Sequence, residues 1–236
     1  MTSEFIVLAA TAAGIGFIHT IIGPDHYLPF IALSKARGWP GIKTFMVTFL
    51  CGIGHILSSV ILGFIGIILG IAVFKLEAIE SLRADWASWF LISFGFVYFI
   101  WGMHKAFCNK PHEHIHIHED GQPHKHTHTH FEKHVHVHGT ETRALTPWVL
   151  FIIFVFGPCE PLIPLIMYPA ARHNMFAVAI VALVFGIATI STMLGIVFVS
   201  SYGLSKLPLR SMERYSHALA GFAIFACGAA IKLFGL

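Results

Sequence analysis

Long apolar runs separated by short charged clusters fill most of the chain. They cover residues 4–36, 43–73, 86–107, 147–171, 175–200 and 213–235, and each reaches the roughly 20 residues that a helix needs to cross a bilayer. The pattern predicts six transmembrane helices. The first run is too long for one straight crossing and holds Gly23-Pro24, while the fourth holds Gly157-Pro158 and then Pro161 and Pro164. Proline has no N–H and clashes with the preceding turn, so helices 1 and 4 are expected to be interrupted at their Gly-Pro motifs. A membrane tolerates such breaks only where protein or a cavity receives the freed backbone groups.

The two breaks belong to an internal repeat. Gly23-Pro24-Asp25-His26 aligns with Gly157-Pro158-Cys159-Glu160, and at the same offset of 134 residues Gly52-Ile53 and Ile56 meet Gly186-Ile187 and Ile190. In the third helix of each half, GFVYFIWG from Gly95 meets GFAIFACG from Gly221 at an offset of 126. Three spans per half is an odd number, so the second half must enter the membrane in the opposite sense. The expected fold is an all-α integral membrane protein of six helices in two inverted three-helix repeats, the plan in which a substrate site lies near the midplane on interrupted helices. Residues 1–108 and 147–236 are the two repeats, and 109–146 is the loop between them.

Composition agrees: 56% of the residues are hydrophobic and 11% charged, against about 25% charged in soluble domains. The net charge of +3 comes from basic residues placed singly at span ends, with no basic stripe, which excludes nucleic acid as a partner. With the N-terminus on one side, four of the fifteen Lys and Arg residues fall on that side and eleven on the other. The positive-inside rule makes the richer side cytoplasmic and puts both termini outside a cytoplasmic or inner membrane. The first apolar run lacks a basic leader and reads as a retained helix. The cysteines at 51, 108, 159 and 227 show no CxxC spacing, so structural disulfides are not expected, and Cys51, Cys108 and Cys227 read as packing.

Ionisable groups inside an apolar span default to a functional reading because hydrocarbon makes them costly. His19, Asp25 and His26 lie around the first break, Cys159 and Glu160 at the second, and His55 in the middle of the second span. Imidazole, carboxylate and thiolate together suit a borderline divalent transition metal better than calcium or magnesium. These six residues form the candidate metal site, with Asp25 and His26 as helix caps, His55 as proton relay or helix contact, and Cys159 as filler as the alternatives. The loop carries His112, His114, His116, His118, His124, His126, His128, His130, His134, His136 and His138, eleven of the seventeen histidines. Their alternation around the turn Glu119–Pro123 fits a hairpin, and equally a chain without fixed structure until metal binds. His104, His173 and His217 fall at span edges, where a solvated role is expected. No catalytic constellation is present, so the expected protein is not an enzyme and has no permanent cofactor. Its expected partners are a transition-metal ion, as substrate, and the lipid bilayer, with self-association left open.

HTIIGPDHYLPFIALSKARGWPG, then GIGH in the next span and GPCEPLIPLIMYP in the second half, resemble the nickel/cobalt transporter superfamily in its urease-accessory UreH-like branch. That resemblance implies a permease for nickel or cobalt, zinc, iron and copper not being excluded, with His19, Asp25 and His26 on the family's signature positions; export is favoured by the histidine-rich loop. GPCEPLIP is also similar to the proline-cysteine segments of six-helix thiol-disulfide electron-transfer proteins of the cytochrome-maturation type, which carry a reactive cysteine in each inverted half. Here Asp25 stands at the matching position of the first half, so the dithiol of that chemistry is missing. A metal-binding membrane accessory or sensor is the remaining alternative.

Overall fold

The computed structural model describes residues 2–108, 112–117, 123–128, 142–205 and 213–234. Among them lie eight α-helices: α1 (Thr2–Ile22), α2 (Leu28–Arg37), α3 (Gly41–Ile68), α4 (Val73–Cys108), α5 (Thr142–Phe156), α6 (Leu162–Ala171), α7 (Met175–Ser205) and α8 (Ser216–Phe234). Five segments, Ser3–Ile22, Gly41–Ile68, Val73–Cys108, Met175–Leu204 and Glu213–Phe234, are long and apolar enough to cross a membrane. The chain is therefore a multi-pass membrane protein whose long apolar segments are all helical. Its outer surface fits that solvent, since Phe17, Phe96, Phe198 and Phe222 all point outward, as lipid allows and water does not.

Both Gly-Pro breaks form. α1 ends at Ile22, a single 3₁₀ turn holds Pro24–His26, and α2 then runs to Gly38, whose φ of 59° supplies the left-handed cap. The expected fourth span forms two short helices, α5 and α6, on either side of Gly157–Pro161. Pro161 caps α6, whereas Pro164, expected to interrupt the chain again, sits inside the first turn of α6, where no earlier carbonyl awaits its missing N–H. The third span also differs from its expected length. α4 starts at Val73 and carries Glu77, Glu80, Arg83 and Asp85 within the helix, because Glu80 and Arg83 neutralise each other inside the protein.

The helices pack in exchanged pairs. α1 lies on α7 and α5 on α3, while α4 pairs along its length with α8. Small residues allow the close approach that membrane helices use in place of a hydrophobic drive. Gly95 abuts the Phe225 backbone and Gly221 the Phe99 backbone, and Gly102 and Gly228 face Ala218 and Ile92 in the same way. In α3 and α7, Gly52 meets Ile190 and Gly186 meets Ile56. A Cβ at Gly95 or Gly221 would fall inside van der Waals distance of the partner backbone, which cannot yield as a side chain can. Gly221→Val should therefore cost at least about 1–3 kcal/mol of overpacking, read as a lowered unfolding midpoint in detergent; an unchanged midpoint would show that α4 and α8 are not held at this distance.

Between α4 and α5, strands β1 (His112–Ile117) and β2 (Pro123–His128) pair antiparallel, with His112 opposite His128, His114 opposite His126 and His116 opposite His124. Of the two loop readings left open by the sequence, the hairpin is the one observed. His118, His130, His134, His136 and His138 lie outside the described residues. Cys108, expected to be packing, is exposed at the end of α4, its Sγ 3.4 Å from His104 Nε2.

Candidate metal centre at the helix breaks

The histidines at 19, 26 and 55 come from three different elements and meet inside the bundle. His19 is on the last turn of α1, His26 ends the 3₁₀ turn, and His55 is midway along α3. One ligand nitrogen from each lies within 4.8 Å of the others. The His26 ring stands edge-on to both neighbours, at centroid distances of 4.7 Å from His19 and 5.0 Å from His55. His26 and His55 are 2% and 1% exposed. On an unbroken helix the step of seven positions from 19 to 26 would separate them by about 10 Å. The Gly-Pro break removes that separation by folding His26 back.

Each break uses its glycine to make room for an imidazole. A side chain at Gly23 would collide with the His26 ring, and one at Gly157 would crowd Nδ1 of His55. The breaks thus shape the space that the rings occupy. Among the described residues His55 Nδ1 and Nε2 and His26 Nε2 have no hydrogen-bond partner, while His26 Nδ1 is 3.1 Å from Gly23 O and 3.2 Å from Asp25 Oδ1. Buried polar atoms in proteins are nearly always paired, and leaving one unpaired costs about 1–3 kcal/mol. One nitrogen from each ring can be turned toward a common point, the donor arrangement that a transition-metal ion takes. The centre sits where two apolar clusters join, with His55 against Phe154 and His19 against Phe185.

The other expected ligands divide. Asp25 stands behind His26 as its ion-pairing neighbour, with a quarter of its side chain exposed. Cys159 is fully buried, and its Sγ lies 3.9 Å from His19 Nε2. Glu160, matched to His26 by the repeat, is exposed and is not brought to the cluster. The two are adjacent in the chain, and the turn at the break buries Cys159 while leaving Glu160 exposed. Thr189, the repeat partner of His55, is buried near Gly16, and its hydroxyl has no hydrogen-bond partner among the described residues.

Two residues that the sequence reading placed outside the membrane complete the second break. Glu80 has no exposed surface, and its Oε1 receives Arg83 Nη1 at 2.6 Å. Its Oε2 accepts the backbone N–H of Cys159 at 3.1 Å. Arg83 Nη2 donates to the carbonyls of Val155 (2.8 Å) and Gly157 (3.2 Å) and to Ser58 Oγ (2.6 Å). Ser58 Oγ in turn donates to His55 O at 2.8 Å. The pair thus satisfies the backbone groups freed at the break and ties them to the turn of α3 that carries His55. The available signal was their i, i+3 spacing, which places opposite charges side by side on a helix.

The family described as the cytochrome C biogenesis protein transmembrane region matches residues 28–230. The chain belongs to this family. No curated protein and no solved structure matches it. Membership overturns the resemblance to the nickel/cobalt transporter superfamily, and with it the assignment of nickel or cobalt that rested on the same segments. In this cytochrome-biogenesis member the family region includes His55, Glu80, Arg83 and Cys159, whereas His19, Asp25 and His26 precede it. Segments GIGH and GPCEP both lie within the matched region, and the resemblance through the proline-cysteine segment is the one that the match favours.

Proposed function

We propose that this member of the cytochrome-biogenesis transmembrane family is a metal-binding membrane accessory protein, holding a borderline or soft transition-metal ion at His19, His26 and His55. The observation that carries this reading is the convergence of three imidazoles, of which His26 Nε2 and both ring nitrogens of His55 are buried with no hydrogen-bond partner among the described residues. Imidazole suits zinc and copper alike, and the Cys159 sulfur beside His19 adds a soft donor that calcium or magnesium would not select. Nitrogens about 2 Å from a tetrahedral zinc ion lie roughly 3.4 Å apart, so the ligand nitrogens, now spread over up to 4.8 Å, draw together by about 1–1.5 Å as it binds. Asp25 fixes the orientation of His26, as carboxylates commonly do for metal-bound histidine. The two inverted three-helix repeats, 1–108 and 147–236, are part of this reading, supported by the reciprocal contacts of Gly95 and Gly221 and of Gly52 and Gly186. So are the cytoplasmic placement of loop 109–146 and of the eleven basic residues on its side.

The test is a titration of the purified protein with Zn(II) and with Co(II) as a spectroscopic probe, using a variant that lacks His112–His138 so that loop histidines do not bind. The expected result is one tightly held ion, with the parent chain taking up several more, weaker ones. A loop-deleted protein that binds no ion would overturn the proposal. Flux of the same ion into proteoliposomes then separates a carrier from an accessory that retains it.

Family membership favours one second reading, thiol-disulfide exchange at Cys159. All four cysteines are free, and Cys51 and Cys159 belong to separate apolar clusters, so such exchange would need a thiol from another molecule. Under the metal reading Cys159→Ser should weaken zinc binding by about 10–100-fold, the scale of an outer-shell partner, and the parent should show no exchange with a dithiol substrate. Exchange activity that disappears in Cys159→Ser would establish the redox reading instead.

A further inference from the structure

The two ends of the bundle treat their cations differently. At one end Arg172 pairs with Glu4, Lys232 with Asp85 and Arg83 with Glu80. At the other, Lys35, Arg37, Lys105 and Arg214 have no carboxylate partner among the described residues. They bond neutral groups: Lys35 Nζ to Leu204 O at 3.3 Å, Arg214 Nε to Ala106 O at 2.6 Å, and Arg37 Nε to Tyr98 Oη at 3.3 Å. Tyr98 Oη then meets His217 Nδ1 at 2.8 Å, and Lys105 Nζ meets His217 Nε2 at 3.1 Å. Two cations are thus wired to one imidazole, with no anion between them. His217, expected to be a solvated edge residue, is instead half-buried within this network.

Lys35, Lys105, Arg214 and His217 line a cavity of about 1060 Å³ between α2, α7, α8 and the start of α3, whose remaining walls are mainly apolar, with Ile31, Phe45, Val197 and Phe198 among them. Glu213 also lines it but pairs with none of the cations. The link 206–212 contributes Lys206 and Arg210 and no acid, so the neutralising charge does not come from that segment. An apolar chamber opening at a cluster of cations with no carboxylate partner among the described residues matches a ligand with one anionic head and hydrocarbon tails. Basic pockets between membrane helices hold anionic headgroups by this combination.

We propose that this cavity is a binding site for an anionic phospholipid, its phosphate held by Lys105, Arg214 and Lys35 and its acyl chains lying against the apolar walls. The site is independent of the histidine centre. The test is a lipid titration of the full chain in a neutral detergent, read as the unfolding midpoint and as lipid retained in native mass spectrometry, with phosphatidylglycerol, phosphatidylcholine and inorganic phosphate as separate arms. Phosphatidylglycerol should raise the midpoint and stay bound, and the other two should not. Lys105→Gln/Arg214→Gln should weaken phosphatidylglycerol binding at least tenfold, while Arg172→Gln/Lys232→Gln at the opposite end should leave it unchanged. Should the first pair fail to fold, Lys35→Gln, whose side chain is exposed, is read in the same titration and should weaken binding several-fold. Equal response to phosphatidylcholine, or undiminished preference in the variants, would overturn the site; an equal response to inorganic phosphate would overturn the lipid as its occupant.

Discussion

His55→Leu should lower the affinity of the bundle interior for Zn(II) by at least about a hundredfold, because loss of an outer-shell partner alone costs 10–100-fold and a directly bonding imidazole contributes more. The same substitution should leave the metal-free protein at least as stable as the parent. Both His55 ring nitrogens are buried with no hydrogen-bond partner among the described residues, so exchanging the ring for an apolar side chain of similar size removes a desolvation cost instead of a bond. The two effects separate a ligand from a structural residue. In the parent, zinc should raise the unfolding midpoint in proportion to the logarithm of its concentration above Kd, and in His55→Leu that dependence should vanish. A large loss of metal-free stability, with zinc binding intact, would mean that His55 is a packing residue and would remove the centre proposed here. His26→Ala should behave similarly toward zinc, with some loss of packing in addition.

Arg83→Met should be the most destabilising single change outside the apolar core. It leaves the fully buried Glu80 carboxylate without its cation and the carbonyls of Val155 and Gly157 without their donor. Removing one partner of a buried ion pair costs about 3–5 kcal/mol, much of it the cost of the charge left behind. The expected measurement is a fall in the urea or thermal midpoint of that size. Glu80→Gln should be milder, since an amide oxygen can still accept the Cys159 N–H. Combining Arg83→Met with Glu80→Leu should recover part of the loss, as the orphaned carboxylate is then gone, and the coupling can be read from the double-mutant cycle. If Arg83→Met alters the midpoint by less than about 1 kcal/mol, the pair is not the clamp on the second break. Zinc binding should also weaken in Arg83→Met, because the turn of α3 that carries His55 is held through Ser58 to the same guanidinium.

Hydrophobic periodicity and proline chemistry were enough to determine that this chain is a membrane protein whose long apolar segments are all helical and that two helices break at Gly23-Pro24 and Gly157-Pro158. Both depend on local physics: apolar length against bilayer thickness, and a ring that removes an N–H. The cost of an ionisable group in hydrocarbon likewise singled out His19, His26 and His55 without any contact being known. What the sequence could not carry was which of the expensive groups meet. Glu160 and Cys159 are adjacent, yet the turn after Pro158 buries one and exposes the other, and no pattern of residue types decides that. Glu80 and Arg83 read as a membrane boundary because a hydropathy window counts charges and cannot see that two of them cancel inside the fold. The bare cations around His217 followed the same rule in reverse, since each was an ordinary helix-end residue until α2, α4 and α8 brought them to one cavity. Pairing in space sets the energy of a charge within a membrane, and that pairing is a property of the tertiary structure.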